Sequence, residues 1–256
     1  MVTVQRLDDV VKSSEPMAVA LSGGTDSSVL LAYARRLGIR VMGISVDTGL
    51  NPPGELAAAE ALAARLGVPF AVVRRDMLAI PDVRENTSRR CYVCKREMMR
   101  AVIHEANRRG YATVADGTHA DDLPGDRPGM AALQELGIVS PFAEAGMGKG
   151  DVLTLAGELG ISVRPASSCL ATRIPAGTHL TAECIGMVRE AEEMLRDEVE
   201  GMLRVRCIDR RAYIEADPSE HPRIRPMLGK IRELGFEEVV LAPGGYRQGG
   251  ADTWKQ

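Results

Sequence analysis

The stretch Leu21-Ser22-Gly23-Gly24-Thr25-Asp26-Ser27-Ser28 separates two apolar runs of different character. The run before it, residues 17–21, is short and suits a buried strand, whereas residues 29–34 are rich in Ala and Leu and suit a helix. The pattern predicts a strand, a tight glycine turn and a helix. The first N–H groups of a helix have no partner within it, and glycines let a ligand approach the backbone closely. The turn therefore favours an anion, above all a phosphate.

Asp26 is a carboxylate among these phosphate-binding donors. It would repel a phosphate chain unless a divalent cation lay between them, so we predict that Asp26 binds Mg²⁺. The stretch has neither the Gly-Lys-Ser/Thr ending of the kinase-type loop nor the G-x-G-x-x-G spacing of dinucleotide sites. The predicted ligand is therefore a magnesium nucleotide.

The same alternation of strand and helix continues along the chain. Predicted strands at residues 41–46, 68–73 and 112–115 alternate with helices, which is typical of an α/β fold with a doubly wound parallel sheet. Ligands of such sheets lie at the carboxyl ends of the strands. Three of these ends carry candidate ligand-binding residues, namely residues 22–28, Asp47, and residues 116–118, which are Asp116, Gly117 and Thr118.

After residue 177 the pattern changes to a helix, two strands, a second helix and a last strand. That order predicts a small α+β domain with its own sheet. We therefore predict two domains, residues 1–177 for nucleotide chemistry and residues 178–256 for substrate binding or oligomerisation. Arg204 and Arg206 lie two apart on one predicted strand and so share a face. They either bind a substrate phosphate or form an exposed basic edge.

The net charge, the hydropathy pattern and the number of cysteines exclude several classes of protein. The 256 residues carry a formal net charge of −3, which argues against a large non-specific nucleic-acid surface. No segment approaches the ~18 consecutive apolar residues of a membrane span, so we expect a cytoplasmic protein without membrane contact. Five cysteines in such a chain favour metal or reactive chemistry over a disulfide framework.

Cys91 and Cys94 stand at C-x-x-C spacing, which brings two thiolates to one metal centre. Three interpretations remain open for these cysteines: an iron–sulfur cluster, a redox dithiol, and a structural zinc with a further ligand such as Cys184, Cys207 or a histidine. Cys184 falls in an amphipathic helical pattern and Cys207 in an apolar strand pattern, so we predict that both are core residues.

Four further segments follow the glycine turn in order: residues 90–95, 116–122, 126–129 and 164–175. Together with the turn, they resemble the LarE family of ATP-dependent sulfur transferases within the PP-loop ATP pyrophosphatase superfamily. The resemblance spans almost the whole chain. It implies that ATP adenylylates a carboxylate of a pyridinium dicarboxylate mononucleotide, which is then converted to a thiocarboxylate during synthesis of the nickel-pincer nucleotide cofactor of lactate racemase.

The resemblance also bears on the source of the sulfur. Some family members sacrifice the sulfur of a cysteine at the position of Cys169, whereas others have three cysteines and are thought to carry an iron–sulfur cluster. The presence of Cys91 and Cys94 favours the second type. We therefore expect a [4Fe-4S] cluster bound by Cys91, Cys94 and Cys169, with one iron open to sulfide or another sulfur donor. We also expect a homo-oligomer that acts on a small-molecule carboxylate nucleotide.

The implied site residues form three groups. ATP is expected to contact Ala20, Ser22, Gly23, Gly24, Thr25, Asp26, Ser27, Ser28, Ser45, Asp47, Gly117 and Thr118. Magnesium is expected at Asp26 and Asp121. Catalysis is assigned to Cys169, Lys149, Arg173, Glu193 and Arg206. Of these, Lys149 and Arg173 would stabilise the charge that develops as sulfide attacks the activated carboxylate.

Three other functions remain open. A tRNA thiolase of the PP-loop superfamily would use the basic residues 84–100 to hold RNA. An amide ligase of the NAD- or GMP-synthetase type would have no use for the cysteines. A non-catalytic nucleotide-binding partner would leave ATP uncleaved.

Overall fold

The computed structural model describes residues 2–123, 128–165 and 167–247. Its helices are α1 (Val2–Ser13), α2 (Thr25–Arg36), α3 (Glu55–Leu66), α4 (Pro81–Arg84), α5 (Arg90–Arg108), α6 (Pro128–Glu135), α7 (Pro141–Glu144), α8 (Lys149–Glu158), α9 (Ala182–Met194), α10 (His221–Ile224) and α11 (Leu228–Glu233). Its strands are β1 (Met17–Ala20), β2 (Val41–Asp47), β3 (Phe70–Arg74), β4 (Thr113–Ala115), β5 (Arg204–Ile208), β6 (Arg211–Glu215) and β7 (Glu238–Leu241). Asp126 and Arg127, part of the 126–129 segment, lie outside the described residues.

The first four strands form a parallel sheet in the order β3-β2-β1-β4. Side chains of a strand alternate between its two faces, and in β1 Met17 and Val19 join one core while Ala18 and Ala20 join another. Buried residues of α1, α2, α3, α7 and α8 complete the first core, and those of α5 and α6 complete the second. Helices therefore cover both faces of the sheet, and the predicted doubly wound α/β fold is confirmed.

Helix α1 is an element that the sequence patterns did not predict. Its charged residues conceal an apolar face, because Leu7 and Val11, four residues apart, are both fully buried. The Tyr33 hydroxyl of α2 donates to Oδ1 of Asp8 at 2.5 Å, and burial together with that carboxylate raises the pKa of Tyr33 to about 12. Helix α1 is thus fixed to the sheet domain by both apolar and polar contacts.

A short non-helical segment separates helices α4 and α5. Between them Asn86 adopts a φ of 53°, in the left-handed region that Asn enters more readily than most residues. Asn86 is fully buried, and its Nδ2 donates to the carbonyl O of Pro175 at 2.8 Å. A long-range hydrogen bond therefore stabilises the break between the two helices.

The chain divides into two compact units. The first unit comprises Met1–Thr48, Gly54–Asp76 and Cys91–Ala166, and the second comprises Gly49–Pro53, Met77–Arg90 and Ser167–Gln256. The predicted boundary after residue 177 stays a prediction; the second unit begins earlier and also takes in two short segments from within the predicted first domain.

The second unit contains a three-stranded sheet in the order β5-β6-β7, as the predicted α+β pattern implied. Strands β5 and β6 are antiparallel, and β7 runs parallel to β6. Helix α9 packs on β5. The predicted second helix is divided into α10 and α11 by a short 3-10 turn. Across the described ranges, no helix has both the length and the apolar character that crossing a membrane requires.

Candidate active site

The chain leaves β1 and enters α2 through a turn whose shape requires glycine. Gly23 has a φ of 83°, and a Cβ atom there would collide with the backbone carbonyl of Glu55. Gly24 then caps α2 in an extended conformation, so the helix begins at Thr25. The Thr25 hydroxyl accepts a hydrogen bond from the backbone N–H of Arg164 at 3.0 Å. The predicted strand, turn and helix are confirmed.

Serine hydroxyls stabilise this phosphate loop, defined as residues 21–28. The Ser22 and Ser27 hydroxyl oxygens lie 3.1 Å apart, and the Ser27 hydroxyl also accepts from the Ser22 backbone N–H at 3.2 Å. The Ser28 hydroxyl donates to the Gly24 carbonyl at 2.7 Å. The loop is therefore held by its own side chains in a preformed conformation, at the positive end of α2 where a phosphate is favoured.

Lys149 connects two of the predicted magnesium ligands. Its Nζ lies 2.5 Å from Oδ1 of Asp26, and its backbone N–H donates to Oδ2 of Asp121 at 2.6 Å. Lys149 is the first residue of α8, and the preceding Gly148 has no room for a side chain because a Cβ would lie 2.9 Å from Oδ2 of Asp121. The structure thus brings together three predicted site residues that come from three separate segments of the chain.

Gly117 brings the loop after β4 against the phosphate loop. A Cβ atom at Gly117 would lie 2.6 Å from the backbone N of Ser27 and 2.7 Å from the carbonyl carbon of Asp26. Only glycine allows the two segments to approach this closely. The convergence of the carboxyl ends of β1 and β4, expected from the sheet topology, is therefore present.

Asp116 is a buried carboxylate that orders the loop after β4. Its Oδ1 accepts from the Ser140 hydroxyl at 2.8 Å and from the Thr118 backbone N–H at 3.2 Å, and its Oδ2 accepts from the Thr118 hydroxyl at 2.7 Å. Thr118 is itself buried, so its predicted contact with ATP stays a prediction. The sequence placed Asp116 at this strand end but assigned it no individual role.

The other residues assigned to ATP lie at the ends of β1 and β2. Ala20 is the last residue of β1. Ser45 is buried, and its hydroxyl donates to the carbonyl of Leu21 at 2.5 Å. Asp47 ends β2 with an oxygen 3.8 Å from Nε of Arg74. Ser45 thus supports the backbone of the phosphate loop, and the direct contacts of these residues with ATP stay predictions.

Cys91 and Cys94 lie on α5, in the first unit, at spacing i and i+3. Residues at this spacing share one face of a helix. Cys91 is exposed, whereas Cys94 is half-buried with its sulfur 3.8 Å from that of Met98. Within the part of the chain that the structure describes, no group of three or more His, Cys, Asp or Glu side chains is assembled as a metal site.

Cys169 belongs to the second unit, where a buried arginine holds its loop, residues 168–173. Arg173 is fully buried, and its Nη1 donates to the carbonyls of Ser168 at 2.8 Å and Cys169 at 3.2 Å. Its Nε and Nη2 donate to the two carboxylate oxygens of Glu192 at 2.8 and 3.0 Å. All three nitrogens of this guanidinium are therefore engaged with the protein, in the arrangement of a residue that positions Cys169.

A second buried arginine reaches the same loop. Arg206 donates from Nη1 to the Thr172 carbonyl at 2.8 Å and from Nε and Nη2 to Oε2 of Glu215 at 3.1 and 2.9 Å. Burial and the charge of Arg173 hold the pKa of neighbouring Arg204 below its ordinary value. The Arg204 guanidinium lies 5.5 Å from the centre of the Tyr246 ring. The predicted phosphate-binding role of Arg204 and Arg206 stays a prediction.

Glu192 is a site residue that sequence reasoning missed. The sequence assigned the role to Glu193, which is exposed, whereas Glu192 is 3% exposed and also accepts from the Val205 backbone N–H at 3.0 Å. The signal was the helical period of α9, because Ile185 and Val188 lie seven and four residues before Glu192 on the buried face. The role of Glu193 stays a prediction.

Comparison with known proteins gives one family match and several relatives. The family model described as asparagine synthase matches residues 4–135. An uncharacterized protein of Methanocaldococcus jannaschii, MJ0830, is 31% identical across 91% of this chain and 92% of its own length. The pyridinium-3,5-bisthiocarboxylic acid mononucleotide synthase of Lactiplantibacillus plantarum is 32% identical across 93% of this chain and 90% of its own length. A tRNA-cytidine(32) 2-sulfurtransferase of Bdellovibrio bacteriovorus is 29% identical across 47% of this chain and 49% of its own.

Proposed function

The chain belongs to the LarE family of PP-loop ATP-dependent sulfur transferases, and we propose that it uses ATP to replace a carboxylate oxygen of a pyridinium dicarboxylate mononucleotide with sulfur. The nearly full-length similarity to the Lactiplantibacillus plantarum synthase supports this substrate class. The match to the tRNA-modifying enzyme covers less than half of this chain. A shared ATP-binding domain is sufficient to explain a match of that length. We therefore propose a small nucleotide, not tRNA, as the acceptor.

The observation that carries the activation step is the pair of contacts made by Lys149 with Asp26 and Asp121. A site with one or two carboxylates beside a phosphate loop suits Mg²⁺, which takes its remaining ligands from phosphate oxygens and water. Asp26 and Asp121 would hold this ion, which would neutralise phosphate charge. Lys149 supplies a cation in the same place, so it is suited to stabilising charge on the α phosphate as that charge develops.

In the first step, an oxygen of the substrate carboxylate attacks the α phosphorus of ATP. The bond from that phosphorus to the oxygen bridging the α and β phosphates breaks, which gives an acyl adenylate and pyrophosphate. The N–H groups and hydroxyls of the phosphate loop hold the β and γ phosphates as the pyrophosphate forms. In the second step, sulfide attacks the acyl carbon, AMP leaves with the electron pair of the C–O bond, and a thiocarboxylate remains.

The proposed sulfur carrier is a [4Fe-4S] cluster held by Cys91, Cys94 and Cys169. Two of these ligands fit the group, because Cys91 and Cys94 share one face of α5. Arg173 holds the third cysteine in place by donating to the backbone carbonyls of Ser168 and Cys169. When bound, the cluster would supply sulfide without consuming a protein sulfur. We also propose that the enzyme is cytoplasmic and homo-oligomeric.

Product analysis of ATP cleavage tests the activation step. The wild-type enzyme, Mg-ATP and the pyridinium dicarboxylate mononucleotide should give AMP and pyrophosphate, and omission of the acceptor should suppress both products. A parallel reaction contains unmodified tRNA in place of the mononucleotide, to test tRNA as the alternative acceptor. Formation of ADP and phosphate would exclude PP-loop chemistry, whereas AMP formation with tRNA alone would favour a tRNA thiolase.

A further inference from the structure

Two cysteines outside the proposed cluster lie together in the second unit. Cys184 is in the first turn of α9 and Cys207 is in β5, and their sulfur atoms are 2.8 Å apart. A disulfide bond is ~2.05 Å long, so the two sulfurs need to close by only about 0.8 Å to be covalently joined. The sequence predicted both cysteines to be core residues, but a position in the core does not by itself account for a direct contact between the two sulfur atoms.

The two thiols differ in access and in acidity. Cys207 is 5% exposed, whereas Cys184 is half-buried and can be reached from solvent. Hydrogen-bond donation from the Cys184 thiol, supported by the backbone N–H and the positive charge of Arg210, lowers the pKa of the Cys207 thiol. That donation and burial raise the pKa of Cys184. The pair therefore combines an accessible sulfur with a buried sulfur that is predisposed to be a thiolate, which is the more nucleophilic form.

We propose that Cys184 and Cys207 form a reversible disulfide that joins α9 to β5. The oxidant is a small-molecule disulfide such as oxidised glutathione. The Cys184 thiol gives its proton to the Cys207 thiolate as the Cys184 sulfur attacks one sulfur of the oxidant. A mixed disulfide forms, and the small thiolate that leaves takes the proton back from Cys207. The Cys207 thiolate then attacks the Cys184 sulfur and expels the second thiol. Two protein thiols and one oxidant disulfide give one protein disulfide and two small thiols, so atoms and electrons balance.

The position of the pair gives the link a structural consequence. Helix α9 carries Glu192, and β5 carries Arg206 next to Cys207. These two residues belong to the hydrogen-bond network that holds the Cys169 loop. A covalent bond between α9 and β5 would restrict the separation of the two elements in the unfolded chain and raise the thermal stability of the enzyme. This proposal is independent of the sulfur-transfer reaction, because neither cysteine takes part in it.

The test uses the full chain, purified anaerobically and equilibrated with mixtures of reduced and oxidised glutathione. The thiols are then trapped with an alkylating reagent, and the cross-linked peptides are mapped by mass spectrometry. We expect a peptide linked through Cys184 and Cys207, its yield rising with the fraction of oxidised glutathione and reversing on reduction. Oxidation should raise the Tm by several degrees, and this shift should vanish in Cys184→Ala and Cys207→Ala.

The peptide map of the wild-type chain decides the matter even if a variant folds poorly. Alkylation of both thiols in every mixture would overturn the proposal. So would a glutathione adduct at Cys184 that does not proceed to the internal link. A Lys12→Met chain serves as the control, because it changes an exposed side chain of the first unit that belongs neither to the proposed cluster nor to the cysteine pair, and it should form the Cys184–Cys207 link as the wild type does.

Discussion

Arg173 and Glu192 form a buried ion pair with two hydrogen bonds, of 2.8 and 3.0 Å, in which the side chains are 0% and 4% exposed. The remaining nitrogen of the guanidinium donates to the backbone of the loop that carries Cys169. Because Glu192 lies on α9, the ion pair fixes the position of the Cys169 loop relative to that helix. Because the charges are balanced against each other, the arginine can occupy the interior without an unpaired charge.

The first prediction concerns this pair. Glu192→Gln removes the negative charge and leaves the charge of Arg173 buried, so we expect a loss of stability of about 3 kcal/mol. The Cys169 loop should loosen, which should increase the alkylation rate of Cys169 and lower turnover. Urea unfolding, thiol labelling and activity measure the three effects. Glu190→Gln, at an exposed position on the same helix, should change stability by less than about 0.5 kcal/mol.

Glu193→Gln tests which glutamate of α9 matters, because the sequence assigned a catalytic role to Glu193 whereas the structure gives a positioning role to Glu192. A loss of turnover in Glu193→Gln, with unchanged labelling of Cys169 in Glu192→Gln, would contradict the positioning role given to Glu192.

The second prediction concerns Lys149. Its pair with Asp26 is partly exposed, with side chains 42% and 31% exposed, so the pair contributes roughly 0–1 kcal/mol to stability. Lys149→Met should therefore leave the Tm nearly unchanged while it lowers kcat for AMP formation by about 100-fold, the scale expected for loss of one transition-state donor. Lys12→Met removes an ion pair of similar exposure on α1 and should retain full activity. Equal activity in the two variants would exclude a catalytic role for Lys149.

The third prediction concerns close packing at the phosphate loop. Gly117→Ala places a Cβ 2.6 Å from the Ser27 backbone N, so the loop must shift and ATP affinity should fall. Isothermal titration with Mg-ATP measures the effect. Gly157→Ala is the matched control, because Gly157 lies in α8 with open space around it and alanine should stabilise the helix by about 0.5–1 kcal/mol. Unchanged ATP affinity in Gly117→Ala would show that the loop tolerates displacement.

The fourth prediction concerns pH. The folded chain raises the pKa of Tyr33 from 10.0 to about 12, so the native state holds this proton more tightly than the unfolded state does. The resulting stability is fully present below pH 10 and is lost as the pH rises towards 12. Tyr33→Phe should be less stable than the wild type below pH 10, and the difference between their Tm values should shrink above it. A constant difference across that range would contradict the raised pKa.

The fifth prediction concerns the proposed cluster. Cys91→Ser, Cys94→Ser and Cys169→Ser should each lose most of the iron and acid-labile sulfide measured after anaerobic purification. Cys184→Ser and Cys207→Ser should retain both, because these residues contact each other outside the proposed cluster. If the wild-type chain instead contained stoichiometric zinc and showed no visible absorbance, the cluster assignment would be wrong and a structural zinc site would be indicated.

The sequence was most informative where local backbone geometry restricts the residue type. Gly23 is required by a positive φ, and residues before and after it have the distinct patterns of a strand and a helix. The topology of a parallel sheet then predicted that the ends of β1 and β4 converge, which the contact of Gly117 with the phosphate loop confirms. The proximity of Lys149 to Asp26, 123 residues apart in sequence, is set by folding alone.

The sequence was least informative about which side chains are buried and which of them contact each other. Glu192 and Glu193 are the same residue type, and only the phase of α9 distinguishes the buried one from the exposed one. Helix α1 was missed because its buried residues are spaced among charged ones. Cys207 was correctly predicted to be a core residue, whereas Cys184 is only half-buried. The contact between the two sulfurs was not predicted, because the periodicity of one element does not specify which side chains of another element it touches.

The most direct test of the proposed sulfur transfer is a multiple-turnover reaction of the anaerobic, iron-loaded enzyme. The mixture contains Mg-ATP, the pyridinium dicarboxylate mononucleotide and excess sulfide, and mass spectrometry follows both the product and the intact chain. The proposal predicts several thiocarboxylate molecules per chain, an equal amount of AMP and an unchanged chain mass. Product limited to one per chain, with loss of H₂S mapped to Cys169, would contradict sulfur delivery by a cluster, and the absence of any sulfur-containing product would contradict the function itself.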